Sequence, residues 1–258
     1  MRRFLILGLT TVLATAQDRS PVEPKSLPAP DQEIAPVRPA VARLDATRYR
    51  IGELVLDQKT REIRFPAVVN MTEGLLEYAL VRTHGKVHES LLATDVSATY
   101  INLAFTLLRY QPSPELYADV NERGGLSNRF PVVSASVKAA ARIQVKVEWN
   151  DRGKIRCVPL NEWIQNAAKG RAMPETLWVY GGSVIEQGKF VAETTGDLIA
   201  IFLSNAALLN YPGTDNNNDD VWIPFPKRVP AEGTKVTVIF APNPGKKTDD
   251  GRQLTEDR

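Results

Sequence analysis

Residues 75–92 read LLEYALVRTHGKVHESLL, and the path of this stretch sets which polar groups of the chain look the same way. His84-Gly85 stands between two runs of strand-forming residues, and a glycine there supplies the positive φ of a two-residue hairpin turn. The stretch is therefore read as an antiparallel hairpin of Leu75–Thr83 with Lys86–Leu92. In that register Thr83 pairs with Lys86, Val81 with His88, Ala79 with Ser90 and Glu77 with Leu92. Side chains alternate along a strand. Glu77, His88 and Ser90 then share one face, and Glu89 joins Tyr78, Leu80 and Leu91 on the other.

Working outward, Tyr49–Leu56 and Glu62–Val69 read as strands joined by a turn at Asp57-Gln58-Lys59-Thr60. Downstream, Thr94 or Asp95 is placed to cap the longest helix. Val96, Tyr100, Leu103, Ala104, Leu107 and Leu108 fall at helical spacing along it, with Ile101 and Phe105 on the other face. Gln111–Ala141 has weak periodicity, and Pro112, Pro114, Gly124 and Gly125 mark it as an excursion of turns. Arg142–Trp149 alternates as a strand, and Asn150-Asp151-Arg152-Gly153 turns it back into Ile155–Val158. Pro159–Asn166 reads as a short helix, as does the segment capped by Ser204 or Asn205 that carries Ala207 and Leu208. Leu177–Ile185, Leu198–Leu203 and Lys235–Ala241 complete the strands. The expectation is an α+β domain, a mainly antiparallel or mixed β-sheet packed with one long and two short helices.

The N-terminus has the form of a secretory signal. Arg2 and Arg3 precede the apolar run Phe4–Ala16, which ends in the small-x-small pattern Ala14-Thr15-Ala16. That run is shorter than the roughly 20 residues of a spanning helix, so residues 1–16 are read as a cleaved signal for periplasmic or secreted location. No cysteine follows to accept a lipid, and no later segment has membrane-spanning length. Residues 17–44 carry Pro21, Pro24, Pro28, Pro30, Pro36 and Pro39 and read as a proline-stiffened linker. A globular domain is expected over 45–244, followed by a polar tail at 245–258. The 32 basic and 30 acidic residues nearly cancel, which argues against nucleic acid as a partner. Cys157 is the only cysteine, so neither an internal disulfide nor an iron–sulfur cluster is available. Flanked by Arg156 and Val158, it reads either as a reactive thiol or, the favoured expectation, as a half-buried strand residue.

Candidate chemistry gathers at the hairpin. His88 with Ser90 resembles a base and nucleophile, but Cα atoms two apart on a strand are about 6–7 Å apart, too far for parallel side chains to hydrogen-bond easily. His88 with Glu73 or Glu77 suggests a metal or ligand site, at no standard spacing. The plain alternative is a hydrogen-bonded histidine that fixes a half-buried strand. Asp215, Asn217 and Asp219 resemble the opening of a calcium loop. Asp220 and Pro226 nevertheless stand where an EF-hand needs glycine and glutamate, and a solvated turn competes with calcium. Trp222 and Phe225, within VWIPFP at 221–226, either line a pocket or seal one end of the core. Gly181-Gly182-Ser183 lacks the context of a phosphate loop.

VNMTEGLLEYALVRTHGKVHESLL at 69–92 resembles the signature of the bacterial YdjY-domain family. The likeness continues in VPLNEWIQNAAKGRAMP from Val158, WVYGGS from Trp178 and DDVWIPFPKRVPAEGTKVTV from Asp219. It covers most of Tyr49–Phe240, and Gln111–Ala141 is the main departure. The resemblance implies an exported or envelope-associated domain of unassigned biochemical function. Some relatives resemble or accompany ferredoxin-type proteins, which a single cysteine does not permit here. No catalytic residue carries over from the family. The resulting expectation is a non-catalytic binding or accessory module without a cofactor, calcium aside. Its partner would be an envelope or secreted protein or a small ligand. The alternatives are a small hydrolase or metal-dependent enzyme using His88 with Glu73, Glu77 or Ser90, and a structural role through strand edges.

Overall fold

Strict alternation builds the longest strands. In Glu62–Val69 the side chains of Ile63, Phe65, Ala67 and Val69 are buried while the residues between them stay wholly or partly exposed; Ile143, Val145 and Val147 repeat the pattern in Arg142–Asp151. The structure, a computed structural model, describes residues 41–119, 125, 127 and 129–245. The expected signal at 1–16, the linker up to residue 40 and the tail from 246 lie outside the described residues. In chain order the strands are β1 Val41–Arg43, β2 Arg48–Ile51, β3 Leu54–Asp57, β4 Glu62–Val69, β5 Tyr78–Arg82, β6 Ser90–Thr94, β7 Arg142–Asp151 and β8 Lys154–Pro159. There follow β9 Ile164–Asn166, β10 Arg171–Ala172, β11 Trp178–Tyr180, β12 Ile185–Glu186 and β13 Lys189–Phe190. The last are β14 Asp197–Ala200, β15 Leu209–Asn210, β16 Trp222–Pro224 and β17 Lys235–Pro242. Three α-helices are described, α1 Ala98–Leu107, α2 Ala135–Ala140 and α3 Val191–Thr195, with single 3₁₀ turns at Val87–Glu89 and Leu160–Trp163.

Eight of these strands close a ring. The order β4-β17-β7-β11-β15-β14-β5-β6 returns to β4 through the pairs Val68–Ala93 and Val69–Leu92. The expected α+β arrangement is thus corrected: the fold is mostly β, a closed eight-stranded barrel with three short helices. An α+β layer needs helices to cover a sheet face, whereas in a closed ring the inward side chains cover one another. Phe65, Phe240, Val145, Val147 and Val238 belong to one apolar interior, to which α1 adds Ala98, Ile101, Ala104 and Phe105. Two strands each share an edge between two partners. β3 and β6 divide one edge of β4, and β11 and β8 divide one edge of β7.

The hairpin at 75–92 is the second correction. β5 and β6 are adjacent but parallel, with Tyr78 opposite Ser90, Leu80 opposite Leu92, Val81 opposite Ala93 and Arg82 opposite Thr94. The segment between them turns at Arg82–Gly85, makes the 3₁₀ turn and runs back before β6 begins. Gly85 does not have a positive φ. Its lack of a side chain serves close approach instead: a Cβ there would lie 3.0 Å from the Thr195 carbonyl oxygen and 3.3 Å from the Gly196 Cα. Both strands are buried on both faces, as parallel strands usually are. Tyr78 and Val81 form a second, smaller buried cluster with Ala200 and Ala207, against which Val87 packs.

Smaller departures have local causes. The expected strand Tyr49–Leu56 is broken into β2 and β3 by Gly52, at φ 58°. Helix α1 starts one residue after Ser97, whose hydroxyl accepts from the Tyr100 amide. Its buried face is the one with Ile101 and Phe105, while Leu107 is exposed. Pro159–Asn166 is a 3₁₀ turn followed by β9, and Ser204–Leu208 is a set of turns. Cys157 lies in β8 as expected, but exposed. The β9–β16 pair makes VWIPFP an edge, with Trp222 opposite Asn166 in the three-stranded sheet β10-β9-β16.

Candidate functional site

The parallel pairing redistributes the candidate residues. Glu73 is exposed on the bend before β5. His88 rides on the 3₁₀ turn with its side chain 77% exposed, and its ring nitrogen is 3.7 Å from the Glu89 carboxylate. Ser90 is fully buried and donates to the Leu92 carbonyl at 2.9 Å. His88 and Ser90 are therefore not presented together. The Glu77 amide donates to the Glu89 carbonyl at 3.0 Å. Burial, then the neighbouring Glu89 carboxylate, pushes the Glu77 carboxyl above its ordinary value, with Asp219 adding to the effect. Trp222 is 2% exposed and meets Tyr211 edge-to-face at 5.6 Å, so it seals the core. Asp215 lies by the Tyr211 hydroxyl and Asp219 towards Glu77. Asn217 lies between them in the 215–220 turn, which is tied down by the Leu203 amide on the Asn216 carbonyl. Among the described residues no three His, Cys, Asp or Glu side chains converge to hold a metal ion.

One polar cluster was invisible in the residue order. Gly196, at φ 82°, ends α3 and delivers Asp197 to the start of β14, opposite Val81 of β5 and within reach of the Tyr78 hydroxyl. The Tyr78 hydroxyl donates to Asp197 Oδ2 at 3.2 Å and accepts from Lys86 Nζ at 2.9 Å, while Lys86 also lies 4.9 Å above the Tyr78 ring. Asp197 is 3% exposed, and its Oδ1 has no hydrogen-bond partner. Burial raises the Asp197 carboxyl above its ordinary 3.8, against the lowering pull of Lys86; it raises the Tyr78 phenol too. The cluster fastens the 83–89 crossover onto the barrel.

This burial has a testable sign. A carboxyl whose folded pKa is raised contributes stability that is fully present below the unfolded pKa and lost as pH rises through the folded one. Asp197→Asn keeps a partner for Tyr78 and removes the charge. The variant therefore melts higher than the parent at pH 8, and the gap closes as pH falls towards 3.8. Melting curves of both proteins across that range check it; a variant less stable at pH 8 and no better at pH 4 contradicts it.

A second place has the shape of a binding site. The β7–β8 hairpin continues the barrel wall, and its turn holds Arg152 at φ 54° and Gly153 at φ 87°, the geometry of a two-residue turn with both central φ positive. The register sets Trp149 opposite Arg156 and Val147 opposite Val158. Directly opposed residues share a face, so Trp149 and Arg156 follow Val147 and Val158 on the inward side. Across from this hairpin runs 225–231, where the Arg228 and Val229 amides both donate to the Phe225 carbonyl. That turn holds Lys227 at φ 65°, a left-handed backbone that costs a residue with a side chain about 1–3 kcal/mol.

Between the two segments lies a groove of ≈ 610 Å³, within the size range of ligand sites. Arg152, Arg156, Lys227 and Arg228 line it against the two carboxylates Asp151 and Glu162. Asp151 is engaged by Arg156 at 2.5 Å, and the Arg228 guanidinium lies 4.1 Å over the Phe225 ring. The apolar part of the wall is Trp149, edge-to-face with the buried Trp163 at 5.0 Å, together with Val158, Val229 and Pro230. The groove thus offers an excess of positive charge beside an aromatic surface. Sequence reasoning missed it: a turn read over Asn150–Gly153 gives the two strands but not the Trp149–Arg156 register, which the tighter Arg152-Gly153 turn sets. Nothing in residue order pointed to Lys227 and Arg228 as their neighbours.

Comparison with known proteins agrees with the signature blocks. No curated protein and no solved structure matches the chain. The family model of the YdjY domain matches residues 54–241, from the first residue of β3 to the next-to-last residue of β17. Because that match takes in every strand of the barrel, the chain belongs to the YdjY domain family.

Proposed function

We propose that this YdjY domain is a non-catalytic binding or accessory module that works outside the cytoplasm, and that the groove beside Trp149 takes an anionic ligand. One observation carries the reading: four cationic side chains from two separate segments converge on a single aromatic-walled groove. Two of them, Arg152 and Lys227, sit on left-handed backbone, a cost borne where the surrounding turns hold the side chain in place. The Arg2-Arg3 pair, the apolar run to Ala16 and the proline-rich stretch after it support an exported location. Partners fit the same description, as small anions or anionic groups on envelope or secreted molecules.

Calorimetric titration of the purified full chain tests this, with inorganic phosphate, citrate and 2-naphthyl phosphate as probes at low ionic strength. At least one binds, and the double substitution Lys227→Glu with Arg228→Glu weakens it by tenfold or more while the melting temperature stays within about 3 °C, as expected for exposed side chains. Silence from all three probes, or unchanged binding by the double variant, overturns the proposal.

A further inference from the structure

We infer that the preferred occupant of the groove is an oxyanion carried on a flat aromatic body, an aryl phosphate or sulfate in chemical class; this rests on the groove being the binding site. The two halves of the groove ask for different things. Arg152, Arg156, Lys227 and Arg228 are exposed or near-exposed cations at its rim. Trp149, Val158 and Val229 are half-buried apolar side chains that already pack against the barrel core. A bare inorganic anion satisfies the rim and leaves this wall in water.

A molecule with an apolar ring removes both from solvent, and the ring has a fixed place to lie. Trp149 is held edge-to-face by Trp163 at 66° between ring planes, so its orientation does not have to be bought on binding. Stacked or edge-on aromatic pairs gain beyond their area. The arginine opposite Trp149 in the register, Arg156, stands one strand away on the same face, which sets ring and oxyanion side by side. Arg156 is also the cation already ordered by Asp151. Its guanidinium therefore approaches the anion from a fixed direction, and an arginine fork suits phosphate and sulfate oxygens.

The test compares three probes on the unmodified protein by tryptophan fluorescence and calorimetry. 2-Naphthyl phosphate binds at least tenfold more tightly than inorganic phosphate and at least tenfold more tightly than 2-naphthol, and it quenches tryptophan emission. Trp149→Leu, which keeps the wall apolar, lowers naphthyl phosphate affinity about tenfold and leaves inorganic phosphate unchanged. Equal affinity for naphthyl and inorganic phosphate overturns this inference and leaves the anion groove standing. Equal affinity for naphthyl phosphate and naphthol also overturns it, and failure of every anion removes the groove itself.

Discussion

Phe105→Ala lowers stability by about 3–5 kcal/mol, the usual cost of emptying a buried aromatic site. Phe105 is 0% exposed, stacked on Tyr180 at 4.3 Å and on Phe240 at 5.3 Å, with the Tyr110 edge at 5.3 Å. Phe240 in turn meets Phe65 at 5.2 Å. The ring therefore joins α1 to β11 and β17 directly, and through Phe240 to Phe65 of β4. Three of its neighbours are aromatic rings held in contact with one another or with it, which limits how far the site can collapse. For a domain of this size one kcal/mol corresponds to about 2–4 °C, so the melting point falls by about 10 °C. Leu107→Ala, on the same helix but 42% exposed, shifts it by no more than about 2 °C. Thermal unfolding of the two variants side by side decides the matter; equal shifts would mean that α1 is not anchored through Phe105.

Glu193→Ala is the second large effect, at about 2–3 kcal/mol. The Glu193 carboxylate, on α3, forms an ion pair with Arg82 and accepts from the Ser97 hydroxyl at 2.8 Å, the Thr99 amide at 2.8 Å and the Thr99 hydroxyl at 3.1 Å. It thereby satisfies a free amide at the start of α1, a place where negative charge is favoured. Its loss leaves Arg82, largely withdrawn from solvent, without its carboxylate. Removing one member of a fully buried pair costs about 3–5 kcal/mol, and partial solvation of Glu193 reduces that here. Burial pushes the Glu193 carboxyl up, but the Thr99 amide, Ser97 and Arg82 outweigh it and hold the group below 4.5. A lowered folded pKa gives stability that is present above the unfolded value and lost as pH falls through the folded one. The deficit of the alanine variant is therefore full at pH 7 and shrinks below pH 4.5. A deficit that persists undiminished at the acid end would assign the effect to packing and not to the charge.

Much of the strand content was legible because it rests on local patterns. Glu62–Val69 was read with the same limits that the structure shows, since alternation fixes both its length and its inward face. The closure of those strands into a barrel was not legible, because it depends on two pairs, Val68–Ala93 and Val69–Leu92, that no periodicity marks. Gly85 shows how one residue misleads. A glycine before a second strand fits a hairpin turn equally well by sequence, yet here it makes room for Gly196, more than a hundred residues away. A signal that separates the two was present: the strands hold the uninterrupted apolar stretches YALV and LLA, the mark of strands buried on both faces. The candidate carboxylates followed the register error, so Glu77 meets Glu89 instead of sharing a face with His88. Of the groove only the two strands of its β7–β8 wall were legible; the Trp149–Arg156 register was not, and the other half comes from a turn some seventy residues later in the chain, which only the tertiary fold brings near.

The position of β17 has a consequence for how the chain is made. The strand formed from residues 235–242 is not a peripheral addition but the member that separates β4 from β7, bonded to both along most of its length. Until those residues leave the ribosome, two long strands expose unsatisfied edges, open templates for wrong pairing. Every residue up to 242 must be synthesised before the ring can be completed, so the nascent chain has to be kept apart from its neighbours until β17 is in hand.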